Sequence, residues 1–100
     1  MGSLEDTVVA VMSGYAVKGL NGYSVLTASP DERFLTIVSV ADVRGQRLAT
    51  ASLIVHIEGD KLVIEHDINN KPLVDALLQA GIPRQQIILA YAGEPVPATI

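Results

Sequence analysis

Apolar and polar residues alternate with the period of two that is typical of β-strands through much of the chain between residues 23 and 67. The alternating stretches are separated by short segments rich in Pro, Asp, Arg and Gly, which favour turns. Four strands are predicted from this pattern: Tyr23–Ser29, Phe34–Val43, Arg47–Glu58 and Lys61–His66. Because the connections are short, an antiparallel meander is the expected topology.

The segment before these strands has the spacing of an amphipathic helix, which we predict over Leu4–Lys18. Ser3 suits the N-cap, and acidic residues in the first turn complement the helix dipole. Gly19 is suited to end the helix in the left-handed conformation.

A second helix is predicted after the fourth strand, with Asn70 as its N-cap and Pro72 in its first turn. Its apolar stripe is expected to comprise Leu73, Val74, Leu77 and Leu78. Gly81, followed by Ile-Pro, is typical of a helix end. The apolar run Gln86–Tyr91 predicts a short final strand that crosses over to join the sheet, before an irregular tail over Gly93–Ile100.

These elements predict an α+β fold over residues 1–100, taken as a single domain. It consists of an N-terminal helix, a four-stranded antiparallel meander, a second helix and a final short strand.

A two-residue hairpin loop at Gly59-Asp60 sets the expected pairing of the third and fourth strands. In this register His56 faces Val63, and Ile54 faces Glu65. One face of these two strands is the predicted core face, comprising Ala49, Ala51, Leu53, Val55, Ile57, Leu62 and Ile64. The other face is mixed and has a small apolar centre, which predicts an interface that contains Ile54, His56 and Val63.

Composition adds that the chain is aliphatic and acidic. Hydrophobic residues make up 49% of it, aromatic residues 4%, and the net charge is −4. The high mean hydropathy of +0.37 favours self-association or a protein partner. The acidic balance argues against direct nucleic-acid binding, because phosphate contacts need clustered Lys and Arg. The absence of cysteine and of long apolar runs predicts a soluble, cytoplasmic protein without a membrane contact.

No motif points to catalysis or to a cofactor, so we expect a protein that is not an enzyme. The two histidines, His56 and His66, fall on opposite faces in the expected register, which argues against a shared metal. The carboxylates are expected in turns and on solvated surfaces, and Arg33, Arg44 and Arg47 are expected to be solvated turn residues.

Two stretches, Leu53–Glu65 and Leu78–Tyr91, resemble the XisI family. Similar sequences share a strand with a histidine, a Gly/Asp-Lys turn, a helix ending in Gly-Ile/Val-Pro and an Ile-Val-Leu strand. The chain departs from the family in having Val63 where Trp is frequent and His66 where Gln is frequent. Its tail also lacks the basic and aromatic residues of the family's C-terminus.

The resemblance implies an accessory role, because XisI proteins are controlling factors for excision of a DNA element and are encoded beside a nuclease-like protein, XisH. It implies no catalytic residues. We therefore expect an XisH-like protein partner, and the high mean hydropathy adds the expectation of a homo-oligomer. Two alternatives stay open, namely an antidote that inhibits a neighbouring nuclease-like protein and a small-ligand-binding domain.

Overall fold

The computed structural model describes residues 3–97, which form an α+β fold. Two α-helices and five strands occur in the order α1 (Leu4–Ser13), β1 (Gly22–Ala28), β2 (Phe34–Val43), β3 (Gln46–Glu58), β4 (Lys61–Asp67), α2 (Leu73–Gln79) and β5 (Ile87–Leu89). Short 3₁₀ helices occupy Arg84–Gln86 and Ala90–Ala92.

The strands form one sheet in the order β1-β2-β3-β4-β5. The first four are antiparallel, and β5 pairs in parallel with β4 after the excursion through α2. The predicted fold class is therefore confirmed. The final strand is shorter than the predicted Gln86–Tyr91, because the chain turns into a 3₁₀ helix at Ala90.

Helix α1 begins where the sequence predicts and ends earlier. The hydroxyl of Ser3 accepts a hydrogen bond from the amide of Asp6, and the carboxylate of Asp6 accepts one from the amide of Ser3, which is a capping box. The helix ends at Gly14 rather than at Gly19. Glycine has a low helix propensity, and no further helical turn follows it.

A β-bulge in β4 changes the predicted pairing with β3. The predicted pairs Glu58 with Lys61 and His56 with Val63 are confirmed. Beyond them, Val55 pairs with Ile64 and Ile54 pairs with His66, so Glu65 is the extra residue and does not face Ile54 as predicted. The bulge also places His66 on the face that carries Ile54 and His56, and the predicted separation of the two histidines is therefore wrong.

A second bulge, in β3, corrects the predicted core face. Ala51 pairs with Val38, whereas Leu53 pairs with Ile37, so Ser52 is the extra residue. Since Ile37 is buried in the core and Val38 points the other way, Ala51 lies opposite to its predicted face. Ala49, which pairs with Val40, changes face with it.

Helix α2 has Pro72 as its N-cap rather than Asn70. Proline has no side-chain acceptor to offer, and a carboxylate oxygen of Asp67 instead accepts a hydrogen bond of 2.7 Å from the amide of Leu73. The predicted end is confirmed, since Gly81 has a φ of +94° and the amide of Ile82 donates back to the carbonyl of Leu77. This is the Schellman arrangement, which needs a residue that tolerates positive φ.

Both α-helices lie on one face of the sheet. Their fully buried residues Val8, Met12, Leu73 and Leu77 join one cluster with the inward residues of β2, β3 and β4. Leu78, predicted to be part of the apolar stripe, is instead 42% exposed. The other face of the sheet carries neither α-helix.

The two edges of the sheet differ. The amide of Ser24 donates to the carbonyl of Val17, and Lys18 forms a bridge with Tyr23, so the segment before β1 covers part of its outer edge. The opposite edge is β5, with three residues. Across residues 3–97, none of the helices has the length and apolar character needed to cross a membrane. The first part of the tail, residues 93–97, contains no helix or strand, as predicted, and residues 98–100 lie outside the described residues.

Candidate functional site

The face of the sheet that is turned away from the helices is the candidate site, and we call it the open face. Register and strand alternation assign its members. Its apolar members and His56 are Tyr23, Val25, Phe34, Val38, Val40, Ala49, Ala51, Ile54, His56, Val63 and Ile88. The same register also places polar and charged residues on this face, namely Thr27, Thr36, Asp42, Arg47, Glu58, Lys61 and His66. The open face therefore combines an apolar centre with charged pairs at the strand ends.

The three predicted interface residues lie together on this face. His56 is paired with Val63 and is two positions from Ile54 on the same strand. Their exposures differ, however, because Ile54 is half-buried, His56 is 6% exposed and Val63 is fully buried. The surface available to another molecule is therefore provided mainly by other residues of the open face, among them Tyr23, Val25 and Phe34, which are each 41–50% exposed.

His56 is held by contacts on two sides. Its Nε2 lies 2.7 Å from a carboxylate oxygen of Glu65, the residue that the bulge displaces from the regular ladder. Its ring stacks on Phe34, with the ring centroids 5.7 Å apart and the planes 6° from parallel. Its Nδ1 lies 3.7 Å from a carboxylate oxygen of Glu58, which is beyond hydrogen-bond distance. The imidazole is thus fixed in orientation and has one nitrogen with no close partner among the described residues.

A cleft of about 650 Å³ opens beside this histidine. Its size is within the range of sites that take small molecules or side chains. It is lined by Ser29, Asp31, Arg33, Phe34, His56, Ile57, Glu58 and Glu65. We call it the acidic cleft, because its lining includes three carboxylate side chains and one guanidinium group.

The turn that leads into β2 shapes one wall of the acidic cleft. The hydroxyl of Ser29 donates to Asp31 over 2.6 Å, and the amide of Arg33 donates to the same carboxylate. These hydrogen bonds, that of Ser29 first, lower the pKa of Asp31 below its ordinary value, so the group is ionised at neutral pH. The guanidinium of Arg33 is directed elsewhere, at 3.5 Å from Glu5 and 3.1 Å from the carbonyl of Gly59.

Sequence reasoning found the histidine and missed the residues around it. Phe34 is the chain's single phenylalanine and occupies the first position of β2. The alternation pattern alone does not distinguish it from the other apolar strand residues. In the regular strand that the sequence predicts, Glu65 faces Ile54, and only the bulge brings it to His56. The sequence predicts Asp31 and Glu58 as turn and surface residues.

The chemistry that this arrangement supports is recognition. The open face offers apolar area, and the acidic cleft offers carboxylates, an aromatic ring and an imidazole. Within residues 3–97, no three His, Cys, Asp or Glu side chains are grouped so as to hold a metal ion.

Comparison with known proteins gives two kinds of match. A family model described as XisI protein matches residues 8–97. Among solved structures, a XisI-like protein from Anabaena variabilis ATCC 29413 aligns with a TM-score of 0.72 and 17% identity over 85% of this chain and 81% of that one. The fdxN element excision controlling factor XisI from the same organism aligns with a TM-score of 0.65 and 22% identity over 95% and 92%. No curated protein matches.

Proposed function

The chain belongs to the XisI protein family, and from that premise we propose that it is an accessory factor that controls the excision of a DNA element. The similar Anabaena protein that is described as an excision controlling factor supports this role. We propose further that the chain is not an enzyme and that it acts by binding an XisH-like protein. The description of the similar Anabaena protein as a controlling factor supports the proposal that the chain is not an enzyme.

The open face is the observation that carries the proposal. It extends over all five strands, exposes apolar side chains and is not covered by either α-helix. Apolar surface of this kind on a small domain marks a contact with another protein. Its exposed members Tyr23, Val25 and Phe34 would make most of the contact. Ile54, His56 and Val63 lie on the same face and are less exposed.

A charged residue on the open face tests this proposal. Val25→Glu places a carboxylate at a position that is 41% exposed, so the chain should fold while a partner contact that buries the site is lost. The measurement is capture of an XisH-like protein, with both proteins purified. We expect Val25→Glu to abolish capture.

Leu78→Glu is the matched control. Leu78 is 42% exposed and lies on α2, on the other side of the molecule, so this variant should capture the partner as well as the parent does. Equal capture by the parent and by Val25→Glu would contradict the proposal. In cells, enhanced excision on expression of the chain supports the controlling role, whereas rescue of growth from a toxic neighbour without any effect on excision would replace it with the antidote function.

A further inference from the structure

We propose that the acidic cleft binds the guanidinium group of an arginine side chain that the partner protein presents. This inference deepens the proposed function and rests on it for one point, that the ligand belongs to a protein. The chemistry of the cleft itself is independent of that point and is argued from three features.

Charge is the first feature. Asp31, Glu58 and Glu65 line the cleft, and the one cationic side chain in its lining, Arg33, is already engaged by Glu5 and by the carbonyl of Gly59. The carboxylate of Glu58 is 37% exposed and that of Glu65 is 40% exposed, so both are within reach of an incoming group. The unbalanced negative charge selects a cation.

The exposed ring of Phe34 is the second feature. The ring stacks in parallel on the imidazole of His56, yet the residue remains 50% exposed at the cleft. A cation over an aromatic face is attracted by the ring quadrupole, and the planar guanidinium stacks there more readily than a tetrahedral ammonium group does. The ring therefore favours arginine over lysine.

The free nitrogen of His56 is the third feature. The imidazole side chain is only 7% exposed, and its Nε2 is used by Glu65. With the proton on Nε2, Nδ1 is an acceptor, and among residues 3–97 it has no hydrogen-bond donor. A carboxylate oxygen of Glu58 lies 3.7 Å from it. Two acceptors side by side match the paired N–H groups of a guanidinium fork.

The dimensions of the cleft fit a side chain that enters from a protein surface. Its volume of about 650 Å³ is larger than a guanidinium group alone, which leaves room for the aliphatic stem of the same side chain against Phe34. The cleft adjoins the open face through Phe34 and His56, which belong to both. An arginine seated there would be one charged anchor of a contact that is otherwise apolar.

The probe for this proposal is N-acetyl-arginine amide, followed by NMR. The ring of Phe34 gives the only phenylalanine signals of the chain and reports directly on the cleft. We expect the arginine derivative to shift the signals of Phe34 and of the His56 imidazole in a saturable manner. The neutral isostere N-acetyl-citrulline amide, at the same salt concentration, should leave them unchanged. Equal shifts with both compounds, or none with either, would overturn the proposal.

Glu58→Gln identifies the carboxylate. It keeps the size of the side chain and removes the charge, and we expect it to weaken binding of the arginine derivative about three-fold or more. Asp60→Asn is the matched control, since it removes a carboxylate two residues away in the exposed hairpin turn, outside the lining of the cleft. If both substitutions weaken binding equally, the effect is general electrostatics and the specific site is refuted.

The two proposals fail separately. If the XisH-like protein is captured and the arginine derivative does not bind, the acidic cleft is refuted and the open face remains. If the arginine derivative binds with the expected dependence on Glu58 and the protein is not captured, the cleft stands and the proposed partner is wrong.

Discussion

Asp67, the last residue of β4, supplies the side-chain hydrogen bond at the start of α2 that the N-cap residue Pro72 cannot make. One carboxylate oxygen accepts from the amide of Leu73 at the start of α2, and the other accepts from the amide and the side chain of Asn69. The same asparagine side chain donates to the carbonyl of Ser52, the bulged residue of β3. A single carboxylate thus joins the end of a strand, a loop and the first turn of a helix.

We expect Asp67→Ala to destabilise the fold by about 1–2 kcal/mol, since it removes a cap and leaves part-buried donors unpaired. Urea denaturation should show a lower midpoint with an unchanged m-value. Asp75→Ala is the control, because Asp75 lies in the first turn of α2 and accepts no hydrogen bond in the described structure, and its effect should stay within about 0.5 kcal/mol. Equal losses in both variants would show that negative charge near the helix, and not the hydrogen bonds, is what matters.

Glu94 connects the tail to β5, and its hydrogen bonds lead us to expect that the stability of the fold depends on pH in the acidic range. Its carboxylate accepts hydrogen bonds from the amide of Leu89 over 2.8 Å and from the guanidinium of Arg84 over 2.6 Å. These interactions, that with Leu89 first, lower the pKa of Glu94 below its ordinary value of 4.5. A lowered folded-state pKa means that the stabilisation is present above pH 4.5 and is lost as the pH falls through the lowered pKa.

Titration of the carboxyl carbon of Glu94 by NMR should therefore give a midpoint below 4.5. Glu94→Gln should flatten the acid dependence of stability in this range, whereas Glu32→Gln, in the exposed turn before β2, should keep that of the parent. A midpoint at or above the ordinary value would mean that the tail is not held in this way in solution.

At the scale of elements, the sequence predicts where each strand lies but not the full pairing register of neighbouring strands, which two bulges change. Alternation and turn residues located all four strands of the meander to within a residue or so at each end. The bulge at Ser52 interrupts the pairing without changing the alternation, because Ala49, Ala51 and Leu53 still alternate with polar residues. The bulge at Glu65 lies in the polar run Glu65–Asp67, where there is no alternation to change. An alternation that does not change carries no information about an inserted residue.

The same limit explains what was predicted of the site. His56 and its pairing with Val63 follow from the hairpin turn at Gly59, which fixes the register nearby. Glu65 is the bulged residue, so its contact with His56 depends on the bulge, which the sequence pattern does not predict. Helix α1 shows a similar competition, since the apolar spacing continues past Gly14 while the chain does not remain helical.

Gly22, at the start of β1, lies so close to β2 that there is no space for a side chain at this position. A Cβ at this position would overlap the carbonyl of Val40 and lie 2.8 Å from the Cα of Ala41, and both are backbone atoms of the neighbouring strand. We expect Gly22→Ala to destabilise the fold by about 1–3 kcal/mol by forcing β1 away from β2.

Gly19→Ala is the matched control, because a Cβ at Gly19 meets its nearest atom at an ordinary 3.8 Å. Thermal unfolding of the two variants and the parent provides the comparison. A loss at Gly19 as large as that at Gly22 would attribute the effect to backbone entropy in this segment rather than to the close approach of the strands.

At the scale of the whole molecule, the two faces of the sheet carry different tasks. The helix face contains the core, and the open face leaves apolar area uncovered at one side of a molecule of net charge −4. The acidic cleft lies at one end of the open face, so apolar and charged recognition are adjacent. The proposed partner contact would use this second face.

We expect the chain, when purified without a partner, to form an oligomer through the open face. The expected mass by light scattering exceeds 10.6 kDa and falls with dilution. Val25→Glu should shift the mass toward that of the monomer, and Leu78→Glu should not. A monomer at all concentrations would refute self-association and leave the open face to a different protein alone.

The edges of the sheet determine what kind of assembly such association gives. The first strand is partly covered along its outer side by the residues around Val17, and the last strand is only three residues long. Neither edge is a long template on which the strand of another molecule can add, and repeated edge addition is how fibres grow. We therefore expect any self-association to use the face, where a two-fold contact would occupy the same surface on both molecules and close the assembly at a finite size.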